Sequence, residues 1–507
     1  MTCPYCGTRQ KQKGVFCENC GLRLVRKSPK ALLRRFFRRV GTAIGRIPKK
    51  ILVPVVILLV LAVAALILVP ILTPDKYVMT ETSFRAIYDE TANETTVVFG
   101  TDALAAKAEG RVRDYKTSLR GDRAVLLTES GVLYLCSPDS MALLAEGVTS
   151  FTIAADGDGV AYRDDLGQLY RKHGAKTVEV ARDVTSEFCL SPDGKTLAYK
   201  AEDGAVYTFD GKRSVRQDAD GTPIFVTNGC RRLYHVAESN GTWALFLNGK
   251  RIASNVFVTH ITLTRDGREI AFLTAEENGC RLMLSDGSAP VTLCSVTAGS
   301  DIPLLLRAGT ARMTRSIGKT QVVTAASLTF RETFFRAGSE LYYLNDDFTT
   351  EHLGTANVSS GIACGEKYLY YVRAERGTLC RIALDERQNA EVLETGVKTF
   401  TVTKNEKSYY YVTEDDVLYY VRAAGSEPAR VRGEIETVCT VGKRTLFSNT
   451  DGFLYAASGK SAKQIAEDIS KLTLSDGTVF YEHDDGNVQH VSASRDGKNF
   501  ITVFPAD

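Results

Sequence analysis

The stretch Ser191-Pro192-Asp193-Gly194-Lys195-Thr196-Leu197-Ala198-Tyr199-Lys200 joins a tight turn to a short apolar strand, and the chain repeats it. Asp-Gly reverses a backbone readily, because glycine tolerates positive φ and the Asp side chain accepts nearby N–H groups. LTRDGREIAFL from Leu263 and SRDGKNFITV from Ser494 are close copies. TNGCRRLYHV, CGEKYLYYV, KNEKSYYYV and LSDGTVFYE are looser ones. A second turn-and-strand element follows each, as in LGQLYRK, DGAVYTF, DDVLYYV and DGFLYAA. Tight turns between alternating apolar strands are hairpin signals, so the unit is a small antiparallel sheet.

The period is regular. Tyr134, Tyr170, Tyr207, Phe246 and Met283 mark successive strand ends 36, 37, 39 and 37 residues apart. Tyr342, Cys380, Tyr419 and Tyr455 continue at 38, 39 and 36. Val97-Val98-Phe99 adds an earlier copy and Val488 a last one, giving about eleven units. Some 37 residues hold four short strands, the content of one propeller blade. The SPDGK elements resemble those of TolB-type propeller repeats, and the resemblance implies an all-β β-propeller domain. The matching residues are turn and strand scaffold, so no binding partner follows from it.

Between Met283 and Tyr342 the rhythm lapses for 59 residues, around DIPLLLRAGTARMTRSIGKTQ. The expected organisation is therefore 73–297 as a first set of repeats, 298–325 as an irregular insertion and 326–507 as a second set. Two successive propeller-like lobes are preferred slightly to one large ring, since eleven exceeds the usual four to eight blades.

The N-terminal part is chemically different. Ile51 to Leu72 reads ILVPVVILLVLAVAALILVPIL, 22 residues with no charged or strongly polar side chain. A helix of that length spans about 33 Å, enough to cross a bilayer core. Fourteen Lys/Arg and one acid give residues 1–50 a charge of +13, while the rest carries −10. Basic flanks stay cytoplasmic, so the expected topology is a single-pass cell-membrane protein, N-terminus inside and repeats outside. Within 25–50, Arg34, Arg35, Arg38 and Arg39 sit opposite an apolar stripe of Leu33, Phe36, Phe37 and Val40. That pattern suits a juxtamembrane helix on anionic inner-leaflet lipids, although topology alone also explains the arginines.

Residues 1–24 contain Cys3-Pro-Tyr-Cys6-Gly and Cys17-Glu-Asn-Cys20-Gly. Two CxxC knuckles present four thiolates to one ion, the closed tetrahedral shell of structural Zn²⁺. The segment is similar to zinc-ribbon domains over residues 3–21. One structural zinc on Cys3, Cys6, Cys17 and Cys20 is expected, with nucleic acid disfavoured because membrane topology already accounts for the basic charge.

In the repeats no GxSxG, HExxH or complete phosphate loop occurs. His173, His235, His260, His352, His483 and His490 are scattered, and Asp156-Gly-Asp158-Gly reads as a turn rather than a calcium loop. Cys280 and Cys294 flank a predicted hairpin turn, where a cross-strand disulfide is one expectation. Cys136, Cys189, Cys230, Cys364, Cys380 and Cys439 read as buried strand positions. These patterns favour a membrane-anchored binding or scaffold protein that recognises an extracytoplasmic protein or glycan. An envelope hydrolase or lyase, and ribbon-mediated cytosolic signalling, are the alternatives.

Overall fold

Alternating strands buried on both faces must find a neighbouring sheet, and in this chain each finds the next repeat. The computed structural model describes residues 83–277, 279–297, 312–357, 359–365, 367–385, 390–484 and 489–504. All fall in one compact unit, Tyr77–Asp507. Eleven antiparallel sheets follow one another as the blades of an 11-blade β-propeller, spanning 84–109, 112–145, 148–181, 184–220, 222–253, 256–296, 333–355, 362–394, 397–432, 435–466 and 469–504.

Eleven hydrophobic clusters hold them, one between each neighbouring pair. Blades 4 and 5, for example, share Cys189, Ala198, Val206, Val226 and Leu233. Blade 6 meets blade 7 through Ala271, Leu282, Phe335 and Leu344, so the insertion does not break the series. The last blade packs on the first through Phe480, Val491, Ala493, Val503 and Phe504 against Val98, with Ile87 alongside. Arg85 Nη1 reaches Glu482 Oε1 at 3.1 Å and lies 4.0 Å above the Phe480 ring. The slight preference for two lobes is thus overturned. One ring closes, because the terminal blades bury each other's apolar faces.

The repeat period has a structural cause. Most marker positions are the third-strand partners of an aromatic on the second strand; Tyr134 instead faces Leu126 and Phe246 faces His235. Tyr162 stacks on Tyr170 at 5.2 Å, Tyr199 on Tyr207 at 5.4 Å, Tyr411 on Tyr419 at 5.3 Å and Phe447 on Tyr455 at 5.1 Å. Cross-strand aromatic pairs stabilise a sheet and fix its register. The Asp-Gly turns share one hydrogen-bond scheme. Ser191 Oγ donates to Asp193 Oδ1 (2.7 Å) and accepts from Thr196 N (3.1 Å), and Thr264 with Asp266 and Glu269 repeats it. Gly194 (φ +67°) lies against Gly159 of the preceding blade so closely that a Cβ on Gly159 would stand 2.4 Å from the Gly194 Cα.

The 298–325 insertion is not irregular where it is described. Arg312–Ile317 and Thr320–Ala325 form a hairpin around Gly318 and Lys319. Its second strand pairs in parallel with the inner strand of blade 6, Ile261 opposite Val322 and Leu263 opposite Thr324. Among the described residues blade 6 thereby becomes a six-stranded sheet, while blade 7 has three strands.

The disulfide expectation fails on register. A bulge between Leu282 and Met283 sets Cys294 opposite Leu282 and Cys280 opposite Val296, and both thiols are free. Five of the six other cysteines are buried. Cys230 departs from its expected strand, lying half-buried in the short 3-10 turn Asn228–Cys230.

Candidate functional site

The hairpin has two faces because strand side chains alternate. Met313, Arg315, Ile317, Thr320, Val322 and Thr324 are buried, whereas Thr314, Ser316 and Gln321 are exposed. The buried face lies across the inner ends of several blades. Met313 joins the cluster of blades 2 and 3, Ile317 that of blades 4 and 5, and Val322 that of blades 5 and 6. Lys319 Nζ, at the hairpin turn, lies 3.8 Å from Glu238 Oε2 of blade 5.

The opposite face borders a cavity of about 260 Å³ against blade 6. Thr259, His260, Thr262, Thr314 and Gln321 supply its polar lining; Ala271, Leu273, Leu282 and Val323 supply an apolar floor. His260 Nδ1 is 2.9 Å from Thr259 Oγ1, and the Phe257 ring stands edge-on to the imidazole at 6.4 Å. None of these lining residues is an acid, a lysine or an arginine. The cavity therefore offers neutral donors and acceptors over aliphatic carbon.

Its walls come from blade 6 and the hairpin alone. The chain between the hairpin and blade 7 runs as the segment Ser327–Arg331 instead of an inner strand. Glu269, 6% exposed, holds this segment: it accepts from Phe330 N at 2.6 Å and Thr329 Oγ1 at 2.9 Å, with Arg331 Nε at 3.4 Å. Burial raises the Glu269 carboxyl above its usual pKa, and these donors oppose the rise. Ser327 O also accepts from Arg265 N of blade 6, 2.9 Å away.

The structure does not gather the histidines into one site. They occupy five blades, and only His483 and His490 meet, stacked at 4.8 Å. His352 Nε2 lies 2.6 Å from Glu340 Oε2 on exposed surface. His235 replaces the usual aromatic in blade 5, stacked 4.8 Å from Phe246, and burial pushes it down to about 4. The Asp156 turn is closed by its own carboxylate, which accepts Asp158 N at 3.0 Å.

Cys3, Cys6, Cys17 and Cys20, the arginines Arg34, Arg35, Arg38 and Arg39, and the apolar run 51–72 all lie outside the described residues. Among the described residues no group of three or more His, Cys, Asp or Glu is placed to hold a metal ion, and no helix is long and apolar enough to cross a membrane. Of the cavity, sequence reasoning singled out only His260. Its signal was the lapse of the repeat, which marked the insertion without showing where it folds.

No family model and no curated protein sequence matches this chain. Among solved structures the chain is similar to one described as the crystal structure of the tricorn protease, at 9% identity and a TM-score of 0.29. The match covers 84% of this chain and 53% of that one, so the chain spans about half its length. Nothing about the site follows from that likeness.

Proposed function

We propose that this protein is a single-pass membrane-anchored binding protein. Its propeller stands outside the cytoplasmic membrane and captures a protein or glycan at the cavity between the hairpin and blade 6. The observation that carries the reading is the neutral polar lining of that cavity over an aliphatic floor. Pockets built this way fix a ligand by a few placed hydrogen bonds and exclude water with carbon. A hydroxyl-rich or amide-bearing group suits it; a strongly charged one leaves its charge uncompensated. The 51–72 helix tethers the propeller, Arg34, Arg35, Arg38 and Arg39 meet anionic lipid inside, and one Zn²⁺ on Cys3, Cys6, Cys17 and Cys20 holds the cytosolic ribbon.

Crosslinking on intact cells, followed by capture of the full chain's neighbours, tests the binding role. Thr314→Trp fills the cavity from the exposed hairpin face and is expected to reduce the captured ligand at least about tenfold, a loss near 1.4 kcal/mol. Undiminished capture by that variant overturns the site. Protease treatment of intact cells should remove the propeller and spare an N-terminal tag; digestion of the tag overturns the topology. Metal analysis should find one zinc per chain, lost on Cys6→Ser or Cys17→Ser.

A further inference from the structure

Among the described residues, no acidic group answers the cation buried on the packed face of the hairpin. Arg315 is 3% exposed, and its Nε meets only the Met313 sulfur at 3.1 Å. Nη2 donates to Ile153 O at 3.3 Å, while Nη1 is enclosed and has no hydrogen-bond partner. Lys116, from the inner strand of blade 2, donates from Nζ to Phe151 O at 2.7 Å. Phe151 and Ile153 are two apart on one strand, so their carbonyls leave the same edge about 7 Å from each other. The ammonium and guanidinium heads therefore stand side by side along blade 3.

Arg315 has no acidic partner among the described residues, and half-buried Lys116 has only a long contact to Asp114. The Asp114 carboxylate is 3.8 Å from Lys116 Nζ, but its side chain is 51% exposed, and among the described residues it forms no ion pair with Arg315. Cys189, the titratable neighbour that would favour the charged guanidinium, is itself a buried thiol pushed up to about 12, so it supplies no anion near neutral pH. A buried charge without a partner is strongly unfavourable, and a buried donor without an acceptor adds to that. Both deficits belong to the Arg315 guanidinium, with the Lys116 ammonium beside it.

We propose that Arg315 and Lys116 together seat one small inorganic anion of halide size at the packed face of the hairpin. A monatomic anion suits the enclosure of Nη1, since it accepts N–H donors from any direction and needs the least room. The site lies on the opposite side of the hairpin from the ligand cavity and is independent of the proposed function. Its occupant supplies the anionic partner that Arg315 lacks and so fastens the hairpin across blades 3 to 5.

The test is thermal unfolding of the full chain in detergent, titrating chloride against gluconate at constant ionic strength. A saturable rise in Tm of about 2–4 °C is expected. Arg315→Met should abolish the chloride response and, without chloride, be at least as stable as the parent, since it removes an unpaired buried cation. Should Arg315→Met fail to fold, Lys116→Met carries the test, with the half-saturating chloride concentration raised about tenfold. Crystals soaked in bromide should show an anomalous peak between the two heads. A chloride-independent parent, a response retained in Arg315→Met or unshifted in Lys116→Met, or bromide at the surface alone overturns the proposal.

Discussion

The inner strands of blades 3 to 5 and those of blades 9 to 11 come from the same repeat but live in different surroundings. In blade 5 every residue of Thr222–Val226 is buried, and in blade 3 the last four residues of Val148–Ile153 include three that are buried. In blade 9, Val397–Val402 keeps one buried residue of six, and in blade 11, Ile469–Ser475 keeps two of seven. The hairpin makes the difference, by laying Met313, Ile317 and Val322 over one side of the ring. A repeat fixes the blade, and an insertion decides which inner ends become core.

The largest expected effect is at the glycine contact on the covered side. Gly159→Val places a branched side chain against the Gly194 backbone, where a Cβ alone would stand 2.4 Å from Cα. Neither backbone can retreat without parting blades 3 and 4, so a loss of about 3 kcal/mol or more is expected in denaturant unfolding. On the open side, Gly396 (φ +69°) meets nothing within 4 Å of an added Cβ, and Gly396→Ala should cost only its backbone strain, about 1 kcal/mol. Equal costs would mean that the hairpin side is not the more tightly packed.

Next comes pH. His235 lies in the covered half, 2% exposed, with its folded pKa lowered from 6.5 to about 4 by burial. Between those values the unfolded chain binds the extra proton, so stability falls as pH drops from 6.5 towards 4 and levels off below. The full contribution is about 3 kcal/mol. His235→Phe keeps the stack on Phe246 and should remove this acid sensitivity, read as Tm at pH 7 against pH 4.5. The open half fills the same position with Tyr411 and Phe447, which take up no proton in that range.

What the sequence made legible was local. The Asp-Gly turns and the recurrent third-strand aromatic declare themselves because many blades use the same turn chemistry and the same cross-strand stack, with Met283 and Cys380 among the exceptions. Ring closure brings Val98 against Phe480 and Arg85 to Glu482, 397 residues away, and no periodicity encodes such contacts. The hairpin escaped notice for a related reason. Met313, Arg315 and Ile317 alternate as a strand should, but they interrupt the repeat that organised the reading, and the parallel pairing to Ile261–Leu263 comes from a distant segment. The cavity forms where the hairpin faces blade 6, so its residues come from two distant segments and carried no common motif.

Truncation of the hairpin's own core comes third. Val322 is fully buried between blades 5 and 6, and Val322→Ala should cost about 2 kcal/mol. Val402, half-buried on the open inner strand of blade 9, should lose under about 1 kcal/mol on the same change. If the two costs match, the hairpin lies on the ring without sealing it.

The smallest effect concerns two turns with the same chemistry. Ser191 is fully buried, and its hydroxyl donates to Asp193 Oδ1 while accepting Thr196 N. Thr403 in blade 9 does the same with Asn405 Oδ1 at 2.9 Å and Ser408 N at 3.3 Å, half-exposed. Removing a hydroxyl leaves an N–H without its acceptor, and the cost depends on whether water replaces it. Ser191→Ala should therefore lose about 1–2 kcal/mol in urea unfolding, and Thr403→Ala about half of that. Thr403 Oγ1 also bonds Ser408 O at 2.6 Å and Ser408 Oγ at 3.0 Å, so a smaller loss there, despite more bonds, reports solvent access. Identical losses would show that the two sides of the ring are equally dry at their turns, confining the hairpin's influence to the strands it touches.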